Sequence, residues 1–280
     1  MRYYRPETTA QAVAALAAEP QTSRVLVGGT DVLVALRHRN IEPTLLVDIK
    51  RVRDLVAPIT VHDSGVSFGP TATMTDVVTH PVVRQWFPSL VEAARLVGSV
   101  AIRNRASLIA NSTNGSPAAD TSPPLVALNA SMTISSVNGE RVHPLRDFFV
   151  GSRKTLCSGG ELVTSMWVPR PTTRSSSAFE RLTRRRGVDL ATCSVAAVVD
   201  GDGTVTLGLG AVGPTTLLGG PVAPFDFSSA EQMERALDTL LAAATPIEDI
   251  RAGKPYRTAM LRLLARRAIF RAAQQRTDET

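Results

Sequence analysis

Two stretches of this chain carry residues whose types and spacing suit the grip of a phosphorylated ligand. The first is Val27-Gly28-Gly29-Thr30-Asp31. Glycines let a ligand approach the backbone closely, and consecutive main-chain N–H groups at a strand-to-helix turn make a concave anion site fit for a pyrophosphate. The same residues would also serve as a tight turn that needs glycine for steric reasons alone, so this string by itself decides nothing. The second stretch runs from Arg103 to Asp120. Ser107, Asn111, Asn114 and Ser116 present hydroxyls and amides there, and Asp120 can accept hydrogen bonds from ribose or ring donors. A solvated surface loop whose aspartate caps the following helix would have the same composition. A third string, Gly208-Leu209-Gly210-Ala211-Val212-Gly213, satisfies the GxGxxG spacing of dinucleotide sites. Pro214, Thr215 and Thr216 follow where the required helix should begin, and the string leaves a hairpin rather than the first strand of a βαβ unit. It is read as strand and loop.

Other chemistries find little support. Cys157 and Cys193 are too far apart for a CxxC motif and too few for an iron–sulfur cluster, which takes about four thiolates. The histidines, His38, His62, His80 and His143, are scattered without metal-ligand spacing, so no bound metal is expected. The net charge of +6 and the pI near 10.0 raise nucleic-acid binding. The basic residues concentrate at 181–186 and near the C-terminus, with few aromatics to stack bases. Solvated helix faces, an anionic cofactor or an acidic protein partner account for the charge equally well, and no nucleic-acid partner is expected. No apolar run approaches the roughly 18 residues of a membrane span. Residues 1–6 lack the apolar core of a signal peptide, and the expected location is the cytoplasm.

The elements that must position these residues follow from pattern. At 280 residues and 44% hydrophobic composition, two lobes with separate cores are expected. Residues 8–18 have helical spacing, and 24–27 read as a short buried strand ending at Gly28-Gly29; Thr30 or Asp31 then caps a helix. A second strand is predicted at 45–48. Residues 66–69 read as a strand delivering the chain to a turn at 70–73, with a helix over 75–79 and another over 90–94. A polar, turn-rich stretch spans 111–120, and Pro123 and Pro124 start a helix. Asn138-Gly139 marks a hairpin between 131–135 and 141–144, and 163–169 reads as a further extended segment. Residues 171–177 read as the linker between lobes, with the boundary near 172. Beyond it, strands at 193–199 and 204–210 form a hairpin across Asp200-Gly201-Asp202-Gly203, and amphipathic helices at 230–244 and 256–275 pack on the resulting antiparallel sheet.

Taken together and in this order, the strings resemble the medium, FAD-binding subunits of molybdenum hydroxylases, of the carbon monoxide dehydrogenase and xanthine dehydrogenase type. The resemblance runs nearly end to end. Its most specific part is Ile102-Arg103-Asn104-Arg105 followed by Asn114-Gly115-Ser116-Pro117-Ala118-Ala119-Asp120, which looks like the family's second flavin-binding loop. Residues 27–31, 69–73, Arg185-Arg186, Asp189-Leu190-Ala191, Asp249-Ile250-Arg251-Ala252 and Tyr256-Arg257 support it.

The resemblance implies an α+β fold: a two-part FAD-binding lobe of the PCMH/vanillyl-alcohol-oxidase-like type, then a C-terminal lobe of small antiparallel sheet plus helices. The lobes would span 1–172, divided near 55 and 56, and 173–280. It implies an oxidoreductase subunit that passes electrons through FAD and does not itself oxidise the organic substrate. A large subunit with the molybdenum cofactor and a small subunit with [2Fe–2S] clusters would be its partners, in a dimer of heterotrimers. Within this chain, Val27, Gly28, Gly29, Thr30 and Asp31 would hold the pyrophosphate, with Thr73, Ser107, Asn111 and Asp120 as further contacts. Arg181 stands where a lysine usually reaches toward the flavin. Ile109-Ala110 replaces the family's usual Gly-Gly, which adds side chains where the backbone would approach the cofactor. That substitution defines the alternative: a fold relative with impaired or lost flavin binding, acting as a scaffold or serving another task.

Overall fold

A computed structural model of the chain describes residues 1–277; the three residues 278–280, which the sequence reading assigns to the C-terminal lobe, lie outside the described residues. Among the described residues three larger sheets and one two-stranded hairpin, Phe149–Gly151 with Lys154–Thr155, surround three apolar clusters.

The first sheet is parallel, with Leu45–Asp48 between Arg2–Tyr4 and Ser23–Leu26. All four residues of the central strand are buried, which is why Leu45, Leu46 and Val47 read as an apolar run rather than an alternation. Helix Thr9–Ala18 covers the sheet with Ala12, Val13 and Leu16, spaced to share one face. Thr8 caps it by accepting from Gln11 N–H. Ser23–Leu26 ends at the glycine pair, and helix Val32–Arg37 follows.

The second sheet is antiparallel, in the order Ile59–His62, Gly65–Phe68, Leu162–Pro169, Ser131–Ser136, Gly139–Pro144. Phe68, Met74, Phe87, Leu108, Met132 and Met166 are fully buried beneath it. Asn138-Gly139 makes the expected hairpin, with Ser136 facing Gly139 across the turn. The polar stretch expected at 111–120 is not all loop. Its first residues belong to helix Leu108–Thr113, because Ser107 accepts from Ala110 N–H and supplies the cap.

The third sheet is antiparallel, in the order Ser176–Leu182, Cys193–Val199, Val205–Gly210, Leu217–Val222. Every residue of Cys193–Val199 is buried, because both faces are covered. Val195, Ala197 and Val199 meet the long helix Lys254–Thr277, while Ala196 and Val198 join the central core. The GxGxxG string lies here, as strand and loop. A Cβ at Gly208 would sit 1.9 Å from Pro123 O, so this glycine admits helix Ser122–Ala127 against the sheet.

Several boundaries differ from the sequence reading. The linker expected over 171–177 ends early: Ser176 and Ser177 open a strand, and the buried Ser177 hydroxyl accepts from Ser89 N–H at 3.2 Å. A hydroxyl with an internal partner is at home in a core, although it reads as loop in sequence. Strands Arg2–Tyr4, Ile59–His62 and Leu217–Val222 are additional, and the helix expected over 230–244 stops at Leu240.

Arg257, wholly buried, closes the C-terminal lobe. Its guanidinium donates to Thr192 O, to Ala211 O at 3.3 Å and to Asp249 Oδ1 at 2.5 Å. Burial opposes the Asp249 charge, but bonds from Arg251 and Arg257 outweigh it and hold the carboxyl well below the usual range. Removing one partner of a buried pair strands the other's charge, so Asp249→Ala should lower unfolding free energy by about 3 kcal/mol, read from the urea midpoint.

Candidate functional site

A cleft of about 790 Å³ runs between the first sheet and helix Leu108–Thr113. That size falls in the range of cofactor pockets. Val27, Gly28, Gly29, Thr30 and Asp31 form one wall, and Ser107, Ile109, Ala110, Thr113 and Asn114 the other. The two candidate stretches, about 80 residues apart in sequence, therefore face one another across a single cavity.

The glycine turn is locked to the opposite wall. A Cβ on Gly28 would sit 1.8 Å from Arg105 O, so only glycine allows this approach; Gly29 has φ +77°, a left-handed conformation that glycine adopts without strain. Asn114 Nδ2 donates to Asp31 Oδ1 at 3.4 Å across the gap. The first main-chain donor of the turn to find a partner is Leu33 N–H, bonded to Gly29 O at 3.1 Å. Among the described residues, Gly28, Gly29, Thr30 and Asp31 have no protein acceptor for their N–H groups. On the facing wall, Ala110 N–H goes to the Ser107 hydroxyl and Leu108 N–H to Ala72 O, which leaves Ile109 N–H without one. A run of unpaired N–H groups lining a cavity is the donor set that an oxyanion requires.

The remaining predicted residues stand behind or beyond this cleft. Thr73 caps helix Met74–Thr79 in a reciprocal box with Asp76 and bridges to Ser107, so it supports the wall without lining the cavity. Asn111 lies one helical turn past Ser107 and accepts from the Thr121 hydroxyl at 2.7 Å. The adjacent Asp120 forms a buried ion pair with Arg181, 2.6 Å apart, which ties this segment to the third sheet. Asp120 Oδ1 is enclosed and unpartnered. Burial, partly offset by Arg181, raises the Asp120 carboxyl to about 6. Two polar contacts, Asn111 with Thr121 and Asp120 with Arg181, thus stand side by side behind the second wall.

Ile109 is 3% exposed and packs in the central core, and Ala110 contributes only a methyl group to the wall. The residues replacing Gly-Gly leave the cavity open. Arg24, Asn40, Arg153 and Cys157 also line it, though no local motif marks them. Arg153 arrives from a hairpin whose main-chain N–H bonds to Gly115 O at 2.8 Å, and its guanidinium reaches Asn114 Oδ1 at 3.4 Å. Burial pushes the Cys157 thiol up to about 11, so it is a neutral wall group at pH 7. Glu161, also on the wall, is held at about 2 by the two-pronged Arg141 contact, at 2.5 and 2.8 Å. Among the described residues, no group of three or more His, Cys, Asp or Glu is placed to hold a metal ion.

Comparison with known proteins agrees with this geometry. Residues 1–171 match the family described as FAD binding domain in molybdopterin dehydrogenase. The chain is 30% identical over 274 residues to the carbon monoxide dehydrogenase medium chain of Hydrogenophaga pseudoflava, covering 95% of each. It is 28% identical to the putative xanthine dehydrogenase FAD-binding subunit of Escherichia coli, over 96% of this chain and 95% of that one. Among solved structures it is similar to Cu,Mo-CO dehydrogenase, with a TM-score of 0.92 at 28% identity over 98% of both chains. Quinoline 2-oxidoreductase from Pseudomonas putida 86 gives 0.86 at 26% identity, over 99% of this chain and 98% of that one. Fold and cleft together define a flavoprotein component of an oxidoreductase. The chain belongs to the family of FAD binding domains in molybdopterin dehydrogenases, with the expected α+β architecture.

Two outcomes test the site. Gly28→Val should weaken FAD binding at least ~10-fold, about 1.4 kcal/mol, in a fluorescence-quenching titration, because the new side chain drives the walls apart. For Asp120 the folded state holds its proton up to about pH 6, against an ordinary value of 3.8. The folded chain binds more protons than the unfolded one between those values, so this contribution to stability falls as pH rises through that window. Urea midpoints of the flavin-free chain should show that decline, and Asp120→Asn should flatten it.

Proposed function

We propose that this chain is the FAD-binding electron-transfer subunit of a heteromeric molybdenum hydroxylase, and that FAD lies in the cleft between the first sheet and helix Leu108–Thr113. The carrying observation is the set of unpaired main-chain N–H groups at Gly28, Gly29, Thr30 and Asp31, facing a second wall that adds Ile109 N–H. These donors fit a pyrophosphate: close approach is possible only over glycine, and a diphosphate needs several convergent N–H groups.

In this reading Val27, Gly28, Gly29, Thr30 and Asp31 hold the pyrophosphate. Thr73 fixes Ser107, which sets the opposite wall. Asn111, Asp120 and Arg181 serve the ring end, where Asp120 Oδ1 is an acceptor that no donor among the described residues occupies. When bound, FAD supplies both one-electron and two-electron transfer, which couples iron–sulfur clusters to a pairwise terminal acceptor. The chain's own residues bind and orient the cofactor, a role that asks no side chain to act as nucleophile or general acid.

The partners in this reading are a large subunit with the molybdenum cofactor and a small subunit with [2Fe–2S] clusters, assembled as a dimer of heterotrimers. The relatives' descriptions as medium chain and FAD-binding subunit support a multi-subunit enzyme. Two cysteines are too few to ligate a cluster in this chain. The same reading divides the chain into lobes at 1–172 and 173–280, with a subdivision near 55; the clusters under the first sheet and under the long C-terminal helix support it, while the central cluster crosses residue 172 through Phe179, Ala196 and Val198. Among the described residues no helix is long and apolar enough to cross a membrane, and a cytoplasmic location is proposed. The scaffold alternative loses its motive, since Ile109 turns into the core and leaves the cavity open.

Titration of the flavin-free chain with FAD should saturate at one flavin per chain. Asp120→Asn should weaken binding by ~10-fold, about 1.4 kcal/mol, through loss of a charged acceptor. A chain that stays colourless with excess FAD, alone and in its complex, would overturn the assignment.

A further inference from the structure

The glycine turn is held from behind by a side-chain relay that crosses the whole first sheet. The hydroxyl of Tyr3, on one outer strand, donates to Asp48 Oδ2 at the end of the central strand. Asp48 is 4% exposed, and its other oxygen accepts from Lys50 N–H at 3.1 Å and pairs with Lys50 Nζ at 2.7 Å. The Lys50 ammonium then donates to Val27 O at 3.2 Å, immediately beyond the other outer strand. One buried carboxylate thereby fixes a cation against the carbonyl that precedes Gly28.

A trans peptide holds its C=O and N–H in nearly opposite directions. Lys50 does not line the cleft, whereas Val27 and Gly28 do. Drawing Val27 O toward Lys50 therefore turns that carbonyl away from the cavity and aims Gly28 N–H into it. Without this bond the peptide could rotate and present a carbonyl oxygen, which repels an anion. The ammonium also places a positive charge one peptide away from the donor run, and its side chain is only 36% exposed, so solvent screens it partially.

We infer that Lys50, braced by Asp48 and Tyr3, is the positioning residue of the pyrophosphate cradle: it orients the Val27–Gly28 peptide so that its N–H faces the diphosphate. This inference rests on the proposal that FAD occupies the cleft, and it adds residues that lie outside the two motif strings.

The full-length chain, freed of flavin, would be titrated with FAD as wild type, Lys50→Met and Lys50→Arg. Thermal unfolding of each flavin-free form and ³¹P spectra of each FAD-loaded form would be recorded alongside. Lys50→Met is expected to bind FAD at least ~10-fold more weakly, with displaced ³¹P resonances of the bound diphosphate; its flavin-free form should unfold at a lower temperature than wild type, because Asp48 loses its cation, yet cooperatively and well above the temperature of the titration. Lys50→Arg, which keeps a cationic donor, should recover affinity to within about threefold. Wild-type affinity and unchanged ³¹P resonances in Lys50→Met would overturn the inference while leaving the FAD assignment intact. An equal loss of affinity in both variants would also overturn it. A wild-type chain that takes up no FAD would defeat the FAD assignment and this inference together.

Discussion

A backbone that turns sharply at the end of a buried strand leaves N–H groups without partners, and a fold must satisfy them or keep them open to something outside the chain. Here Ser23–Leu26 runs into Gly28-Gly29, and the N–H groups of five consecutive residues, Gly28 to Val32, find no protein acceptor among the described residues. The turn cannot relax, because Gly28 lies against Arg105 O and Val27 O is taken by Lys50. Unpaired donors facing a cavity cost little while they stay hydrated, and they become strong contacts once an anion replaces the water. Neither helix beside the cleft exceeds six residues, so what this wall offers an anion is fixed local donors more than a long helix dipole.

The rest of the molecule can be understood as support for that arrangement. Ser107 is held from below by its bridge to Thr73, and Met74 N–H bonds to Ala106 O at 2.9 Å, which anchors the second wall to the central core. Its far end is fastened to the third sheet through Asp120 and Arg181. The contact between these lobes is reinforced by Arg271 of the long C-terminal helix, which reaches Glu92 on helix Pro88–Arg95 and Glu180 on strand Ser176–Leu182. The C-terminal lobe thus fixes the far end of the second wall, and a change in that lobe's packing would be felt at Asp120.

Much of this was legible in the residues, for reasons that differ by element. Leu45–Asp48 announces itself because a buried central parallel strand carries consecutive apolar residues, here Leu45, Leu46 and Val47, and Asn138-Gly139 because few other dipeptides suit its turn. The glycine pair was legible as a turn, but its residues alone suit a steric turn and an anion cradle equally, and only the family resemblance pointed to the cradle. Ser176–Leu182 was hidden by serines whose partner, Ser89, lies 88 positions away for Ser177. Leu217–Val222 was hidden by the glycines and proline inside it. Arg153 and Lys50 could not be found by local pattern at all, because tertiary pairing alone brings them to the turn and the cleft. GxGxxG misleads in the opposite sense: two of its glycines clear space for helix Ser122–Ala127 and none meets a nucleotide-sized cavity.

The decisive measurement is amide hydrogen exchange at Gly28, Gly29, Thr30 and Asp31, followed residue by residue with and without FAD. Exchange should be fast at all four in the flavin-free chain and markedly slower once FAD is bound. FAD bound at full occupancy, with these four amides exchanging as fast as before, would contradict the placing of the pyrophosphate at this turn.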